Sequence, residues 1–550
     1  MEFRSLSNLA RFRDLISVLV RYGFDDMVER LDIPGMGMVQ RIHPVNPDLT
    51  PYQRIRLALE ELGPTFVKFG QIMSLRPDLL PRPLTLELQK LQDEVAPLDF
   101  DTILPVLEDG LGGPLSDRFS RFEKVPTASA SLSQVHRAVL KPGGDVVAVK
   151  IQRPGIRSVI ESDLGILQTF VRQIHERVDR LRIYDLPNIV RVTRRLLIRE
   201  LDFLREATNM RIARSLLEDG VGIRIPRVYP DLCTEKLLIM EFVQGKRLRE
   251  VEPETIDRPK DLAAKGLRSA VEQILEHGFF HADPHPGNVL LTQEGMFCLL
   301  DWGMVGRLSR NDRFRIIDLI HAVVDSDSQR LAECLLQIAS SEDPPDQSAL
   351  ERDLLDILDT FYTVPLKRLN LGQIMLDIAA LLRAHKLRLP SDFVIMIKAL
   401  ITAEGTARHI YPDLDVVAEA EGLVRKAAAR RHSPKALWRD LTGTLNRLKA
   451  LSRVLPEQIG RILGKTDRGD LSIRLEHENL GPLRRTLNNM SNRLTLGIII
   501  GSMIIGSSMI ITTGVEPFLF GYPLLGILGY LISGVLGLWL VFTILRSRRF

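Results

Sequence analysis

Two uncharged apolar runs near the C-terminus constrain this chain more than any other feature. Residues 494–513 hold no charge and, at 1.5 Å per residue, are long enough to cross a hydrocarbon core of about 30 Å. A second run covers residues 518–545, with its best stretch from about Leu524 onward. Backbone polar groups in lipid need internal partners, so runs of this kind must be helices. Gly514, Glu516 and Pro517 fall in the short connection, which predicts a tight helical hairpin. Arg484, Arg485 and Arg493 precede the first run, Arg546, Arg548 and Arg549 follow the second, and the connection carries no Lys or Arg. The positive-inside rule therefore predicts a membrane anchor with both termini cytoplasmic, of the bacterial inner-membrane type. Gly497 with Gly501 and Ser533 with Gly537 form small-xxx-small pairs. They predict close helix approach, within one hairpin or between two protomers of a homodimer.

The 550 residues exceed one core, and their 45% hydrophobic and 26% charged content is an ordinary globular mix. A net charge of +4 over this length gives no argument for nucleic acid as a partner. Cys233, Cys298 and Cys334 are odd in number and widely spaced, which fits neither a disulfide framework nor a zinc site and suits a reducing cytosol. The N-terminus shows no signal peptide: its apolar run at residues 15–20 is short and follows Arg11, Arg13 and Asp14. It reads instead as an amphipathic helix, with packing on the main domain favoured over membrane contact. Leu437, Leu441, Leu445, Leu448 and Leu451 recur at helical spacing among Arg439, Arg447, Lys449 and Arg453. Such a helix lies on an anionic membrane surface or covers the catalytic domain. Residues 468–478 admit a strand.

Chemistry concentrates in residues 278–288, Gly-Phe-Phe-His-Ala-Asp-Pro-His-Pro-Gly-Asn. A helix-like stretch at 262–276 precedes this segment. Two short strands, 289–291 and 296–300, follow it with a Gln293-Glu294-Gly295 turn between them, and Asp301-Trp302-Gly303 comes next. Helix, His-x-Asp loop, Asn five residues on, hairpin and Asp-x-Gly is the order a kinase-type phosphoryl-transfer site requires. Asp283 would orient or deprotonate the attacking hydroxyl or water, and His281 would brace the loop. Asn288 and Asp301 offer the oxygen ligands that Mg²⁺ prefers. His281 and His285 also invite a metal-ligand reading, but no third ligand has zinc-site spacing. Upstream, residues 145–150 (Asp-Val-Val-Ala-Val-Lys) predict a buried strand presenting Lys150 to nucleotide phosphates. Lys150 needs an acidic partner on a helix. The helix-like stretch 189–217 offers Glu200, Asp202 and Glu206, of which Asp202 and Glu206 share a face. Residues 236–245 read as the strand and hinge between two lobes, with the backbone of Glu241 to Val243 bonding adenine.

With these residues assembled, the chain resembles the UbiB family of atypical kinase-like proteins, associated with ubiquinone biosynthesis, from about Tyr52 to the terminal hairpin. Residues 62–71 carry the family's Lys-x-Gly-Gln motif, with Lys68 and Gln71 in it, and Ser74-Leu-Arg-Pro-Asp-Leu-Leu-Pro81 follows. The resemblance implies that this helical extension folds over the active site. It also implies that Lys68 pairs with Glu200 of a Glu-x-Asp motif completed by Asp202, and that Glu206 is the partner of Lys150. Residues 126–136 occupy the place of a kinase Gly-rich loop without a glycine and resemble the family's Ala-rich loop. Ala128, Ser129, Ala130 and Ser131 would meet the nucleotide there, with Ser129 and Ser133 standing where Ala and Gly are typical. A Cβ at each position prevents close backbone approach, so phosphates should be held differently from those in ordinary kinases and the nucleotide is ATP or ADP. After Asp301 a Ser309–Asp312 capping box starts the next helix and no Ala-Pro-Glu segment follows, which argues against phosphorylation of proteins in trans.

The expected fold is α+β and bilobal, protein-kinase-like. Its parts are a helical extension (1–118), a small mixed lobe (119–245), a helical lobe (246–417), a basic linker (418–493) and a transmembrane hairpin (494–545). The expected function is a Mg²⁺- and ATP-dependent kinase or ATPase acting on isoprenoid-quinone precursors, or with quinone-biosynthesis enzymes, at the membrane. The alternative is a nucleotide-sensing, lipid-binding scaffold with little turnover. An aminoglycoside-kinase type of phosphotransferase would leave Lys68–Gln71 and the hairpin without a role.

Overall fold

The computed structural model describes residues 6–24, 49–74, 80–91, 95–178, 185–217, 222–341, 344–362, 371–431, 480–514 and 516–547. The expected basic helix around Leu437–Leu451, the strand reading of 468–478 and Arg548 and Arg549 lie outside the described residues, as do residues 75–79 of the segment after the Lys-x-Gly-Gln motif. The chain divides into two compact units, Met1–Asp440 and Leu441–Phe550.

In the first unit, α1 (Leu6–Arg21) is amphipathic and buries Phe12, Leu15, Ile16 and Val18, each worth about 2 kcal/mol. Arg11 donates from Nε to Asp163 Oδ1 at 2.8 Å and from Nη2 to the Leu62 carbonyl at 2.8 Å, so this helix packs on the main body. A Thr50–Gln53 capping box and Pro51 start α2 (Pro51–Leu62), and Gly63 at φ +97° turns the chain into α3 (Pro64–Ser74). On α3 a Cβ at Gly70 would stand 2.3 Å from Leu91 Cδ1, so glycine lets α3 settle against the segment after α4 (Arg82–Leu88). Helices α5 (Phe100–Leu111) and α6 (Leu115–Arg118) lead into the sheet.

That sheet is antiparallel, in the order β1 (Phe119–Phe122), β3 (Ser133–Leu140), β4 (Val146–Gln152), β6 (Leu237–Glu241), with β2 (Ala128–Ser129) also paired to β3. Strand β4 is β-branched and alternates: Val147, Val149 and Ile151 are fully buried on one face, and Lys150 stands on the other. Three helices interrupt the sheet: α7 (Ile156–Arg177), α8 (Leu186–Glu200) and α9 (Phe203–Leu217). Phe203 and Met210 of α9 fill the sheet's core with Leu237 and Ile239.

A second sheet orders β5 (Ile223–Arg224), β10 (Phe297–Leu299), β9 (Val289–Thr292) and β7 (Gly245–Arg247). Before it, α10 (Pro259–Glu272) runs into a π-turn at Gln273–His277 and stops at Gly278, φ +64°. A Cβ at Gly278 would come within 2.6 Å of the Leu308 carbonyl, so only glycine fits this turn. Strand β8 (Phe279–His281) pairs with β11 (Val305–Arg307), holding the intervening loop and hairpin between them.

The remaining helices are α11 (Arg310–Val324), α12 (Ser328–Ile338), α13 (Gln347–Tyr362), α14 (Leu371–Ala384), α15 (Ser391–Ile410) and α16 (Val416–Arg431). They build a second core around Ile317, Leu331, Leu354, Ile378 and Ile397. Both groups of the Ser309–Asp312 capping box are in place at the start of α11. Val424 and Ala427 of α16 join this core, so its packing runs beyond residue 417, where the sequence puts its end. All three cysteines are free and buried.

In the second unit, α17 (Leu480–Thr513) and α18 (Leu524–Ser547) contain stretches long and apolar enough to cross a membrane, Met490–Thr513 and Leu524–Val541. Between them β12 (Phe518–Leu519) and β13 (Tyr522–Pro523) form a small ribbon absent from the sequence reading. The contact between the helices also differs from expectation. A Cβ on Gly497, Gly501 or Gly537 would meet nothing, whereas one on Gly526 would stand 2.5 Å from Ile511 and one on Gly529 2.0 Å from Ser507 Oγ. Ser507 is buried and the hydroxyls of Ser508 and Tyr530 bond, so Ser507, Gly526 and Gly529 make the close approach. Ser533 is buried too, its hydroxyl donating to the Tyr530 carbonyl in its own helix.

Candidate active site

Lys150, on the open face of β4, places Nζ 2.8 Å from both carboxylate oxygens of Glu206 on α9 and 3.9 Å from Asp301 Oδ1. Burial alone would lower the ammonium's pKa; the charges of Asp301 and Glu206 outweigh it and raise it. Burial pushes Glu206 up to about 7 against the pull of Lys150. Asp301 is pulled below its ordinary range because Lys150, Lys68 and the Gly303 N–H, which donates to Oδ1 at 3.0 Å, overcome its burial.

The acidic helix is not continuous. Asp202 sits in the break between α8 and α9, where its Oδ1 accepts the Leu204 N–H at 3.2 Å and caps α9. This corrects the expectation of one helix with Asp202 and Glu206 on a shared face: a residue that caps the following helix does not lie along its side. The break also lets Glu200 and Glu206 serve two different lysines. Glu200, at the end of α8, lies 2.5 Å from Lys68 Nζ on α3. Gln71 turns from these carboxylates and donates to the Leu91 carbonyl at 3.2 Å.

Gln273 in the π-turn positions the His-x-Asp loop by accepting the His281 N–H at 3.0 Å. His281 Nδ1 accepts the Asp283 N–H at 3.1 Å, and its ring meets the buried Trp302 edge-on, centroids 4.9 Å apart. Burial drives the imidazole pKa down to about 4, so it is neutral with its proton on Nε2. Asn288 donates from Nδ2 to the Asp283 carbonyl at 3.4 Å. Trp302 is anchored by Asn209, which donates to its carbonyl at 3.0 Å, and stacks on Phe279. His285 Nδ1 accepts the Gly287 N–H at 3.0 Å, so both loop histidines spend that nitrogen on backbone. Among the described residues no three His, Cys, Asp or Glu side chains gather as a metal cluster. Asn288 and Asp301 remain as an amide and a carboxylate oxygen, the hard donor pair that Mg²⁺ takes when phosphates and water complete its shell.

The Ala-rich loop is held from behind by Arg153, just after β4. Its guanidinium donates to the Ala130 carbonyl (2.9 Å), Ser129 Oγ (2.9 Å) and the Ala96 carbonyl (2.8 Å). Ala128 and Ala130 are half-buried, but Ser131 is buried and faces no open cleft. In the hinge the Glu241 N–H donates to the Arg227 carbonyl and the Phe242 N–H to the Val146 carbonyl. Arg224 and the Arg227 N–H hold the Glu241 carboxylate. Of these three amides, only the Val243 N–H finds no partner among the described residues, which narrows the expected donor set.

Two site residues escaped the sequence reading. Lys398 of α15 lies 2.7 Å from Asp283 Oδ2, and this charge outweighs burial to keep Asp283 below its ordinary range. Its signal was a lone charge in the apolar stretch 393–403. Arg153 gave none beyond its place after the strand.

A sheet lysine clasped by a helix glutamate, opposite a His-x-Asp loop and an Asp-x-Gly turn, defines a kinase-like fold. Family models agree: the ABC1 atypical kinase-like domain matches residues 90–335, the UbiB helical domain 354–415 and the ABC1/UbiB kinase-like C-terminal domain 478–546. The chain belongs to the UbiB family of atypical kinase-like proteins. It is 32% identical to the "Uncharacterized protein in hydrogenase 1 5'region" of Clostridium pasteurianum over 98% of this chain and 99% of that one. It is 32% identical to "Probable protein kinase UbiB" of Pseudomonas fluorescens (strain Pf0-1), covering 81% of this chain and 86% of the relative. The Azotobacter vinelandii protein of the same name is 33% identical over 80% and 84%. A solved structure of Rv3197 with erythromycin from Mycobacterium tuberculosis is similar at 22% identity, covering 64% of this chain and 90% of that one, with a TM-score of 0.46.

Proposed function

We propose that this chain is a membrane-anchored, Mg²⁺-ATP-dependent enzyme of the atypical kinase type, bilobal in its catalytic part, that supports isoprenoid-quinone biosynthesis. The observation carrying the proposal is the convergence of Lys150, Glu206 and Asp301, with nitrogen–oxygen distances of 2.8 and 3.9 Å, opposite the Asp283–Asn288 loop. In this reading Glu206 holds Lys150 extended toward nucleotide phosphates, and the Val243 N–H and Glu241 carbonyl receive the adenine edge. His281 fixes the Asp283 backbone, and Asp283 orients the acceptor hydroxyl or water. Asn288 and Asp301 would hold Mg²⁺, which neutralises phosphate charge when bound.

The Lys68–Glu200 contact ties the extension to the rim of the cleft and supports small or lipid acceptors over protein substrates. Helices α17 and α18 would form a transmembrane hairpin with both termini cytoplasmic, tethering the enzyme to the membrane. The quinone connection rests on membership of the UbiB family and the resemblance that goes with it.

The test is phosphate release from ATP by purified full-length protein, with and without lipid vesicles and phenolic quinone-precursor analogues. Magnesium-dependent release stimulated by lipid is the expected result. Tight nucleotide binding with no release under any of these conditions would refute an enzyme and favour a nucleotide-sensing scaffold.

A further inference from the structure

The β12–β13 ribbon joins α17 to α18 with an aromatic tip. Phe518 pairs with Pro523 and Leu519 with Tyr522, which leaves Phe520 and Gly521 as a two-residue turn. Pro523 is buried, and the Leu524 N–H donates to the Pro517 carbonyl at 2.8 Å, so the base of the ribbon is tied to the start of α18. The rest of its surface is open: Phe518, Leu519 and Tyr522 are half-exposed, and Phe520 is 92% exposed.

Phe520 also holds an unfavourable backbone. Its φ is +50° and that of Gly521 is +86°, the left-handed pair that suits a two-residue hairpin turn and that Asn-Gly adopts most readily. A Cβ at the first of these positions is strained, and a ring open to its surroundings offsets none of that strain through packing within the chain. What the ring gains comes from outside the protein.

The position of the ribbon says what lies there. Between Arg493 and Arg546 the only charged residue is Glu516. As helix, residues 494–513 rise about 30 Å and residues 524–545 about 33 Å, each close to the thickness of a hydrocarbon core. With both arginines at one face of a bilayer, the ribbon emerges at the other, at headgroup level. Aromatic rings settle in that layer, where apolar surface meets wet headgroups. Helix α17, at 34 residues, is about 51 Å long, so its length alone does not fix which part of it spans.

We infer that the β12–β13 ribbon is a membrane-interface anchor. Phe518, Phe520 and Tyr522 seat in the headgroup layer of the leaflet far from Arg493 and Arg546, and together with those arginines they fix the depth of the hairpin. The inference rests on the transmembrane reading of α17 and α18 and adds to it the element that sets their register in the bilayer.

The experiment uses full-length protein in nanodiscs of phosphatidylethanolamine and phosphatidylglycerol, with one bimane label introduced through Phe520→Cys, Val535→Cys or Thr513→Cys; the native cysteines are buried. The quenchers are iodide in water, a lipid with a nitroxide on its headgroup and a lipid with a nitroxide at mid-chain. The label at position 520 should respond most to the headgroup nitroxide. The label at position 535, exposed and midway along α18, should respond most to the mid-chain one. Iodide or the mid-chain nitroxide dominating at position 520, with position 535 in lipid, would overturn the anchor and leave the spans intact. Iodide dominating at position 535 would overturn both. Phe518→Ser, Phe520→Asn and Tyr522→Ser combined remove the rings while suiting the turn, and should shift the label at position 513 toward iodide quenching. An unchanged profile there would overturn the anchoring role. Phe520→Asn alone takes the place of the triple variant if that one fails to fold.

Discussion

Asp301→Asn separates the chemistry of this site from its architecture. Asp301 Oδ1 accepts the Gly303 N–H at 3.0 Å, and an asparagine oxygen can accept the same bond. The side chain is 41% open to the cleft, so no packing is lost, and the expected stability cost is about 1 kcal/mol or less. The larger loss is chemical. With the carboxylate 41% exposed and 3.9 Å from Lys150, water screens its pull on the ammonium, which stays within that cost. The substitution also removes one of the two oxygen donors proposed for Mg²⁺. Deleting one such preorganised group costs turnover about 10²–10³-fold, or ~3–4 kcal/mol. Phosphate release measured across a magnesium series, beside a thermal melt of each protein, gives both quantities. Wild-type turnover at saturating magnesium would refute the metal role. An activity loss matched by a large fall in melting temperature would refute the claim that architecture and chemistry separate here.

Gly278→Ala forces a left-handed residue to carry a Cβ 2.6 Å from the Leu308 carbonyl, and should cost about 2 kcal/mol or more in a denaturant melt. In the second unit, Gly529→Val should lower the thermal stability of detergent-solubilised protein, because its Cβ would overlap Ser507. Gly497→Ala, whose Cβ meets open space, should leave it unchanged. Ala128→Gly should change nucleotide affinity or the ATP-to-ADP preference if the Ala-rich loop meets phosphate; identical titration curves would remove it from the site. Cys298 is fully buried and its pKa is pushed up to about 12, so the folded protein should leave it unlabelled by thiol reagents at pH 8 and denaturant should expose it.

What could be read in advance follows the range of the interaction involved. The apolar runs, the His-x-Asp segment, the 289–300 hairpin and the Ser309 capping box are local patterns, each decided within about a dozen residues, and the helices and strands fall close to where those patterns put them. The Lys68–Glu200 and Lys150–Glu206 contacts join distant segments. No periodicity in the sequence pairs them, and only the family resemblance suggested which acid meets which lysine. Lys398 had no such help: a lysine inside an apolar helix reads as a surface residue until the helix is seen to cross the His-x-Asp loop.

The two apolar C-terminal helices show the same limit in reverse. Small residues were easy to find, but which of them face the partner depends on the rotation of each helix about its axis. Charge-free sequence says little about that rotation, so the small-xxx-small spacing points to Gly497 and Gly501 while Ser507, Gly526 and Gly529 make the contact.

The break at Leu201–Asp202 is the most instructive case, because a single capping bond decides the site. As one helix, residues 189–217 would put Glu200 and Glu206 about 600° round the axis, or about 120° from each other, so they could not both face the cleft squarely. Asp202 takes the Leu204 N–H, α9 starts afresh, and both glutamates come to bear on lysines from opposite sides, one from the extension and one from the sheet. A short polar residue that looked like a third candidate acid thus acts on the site through the backbone.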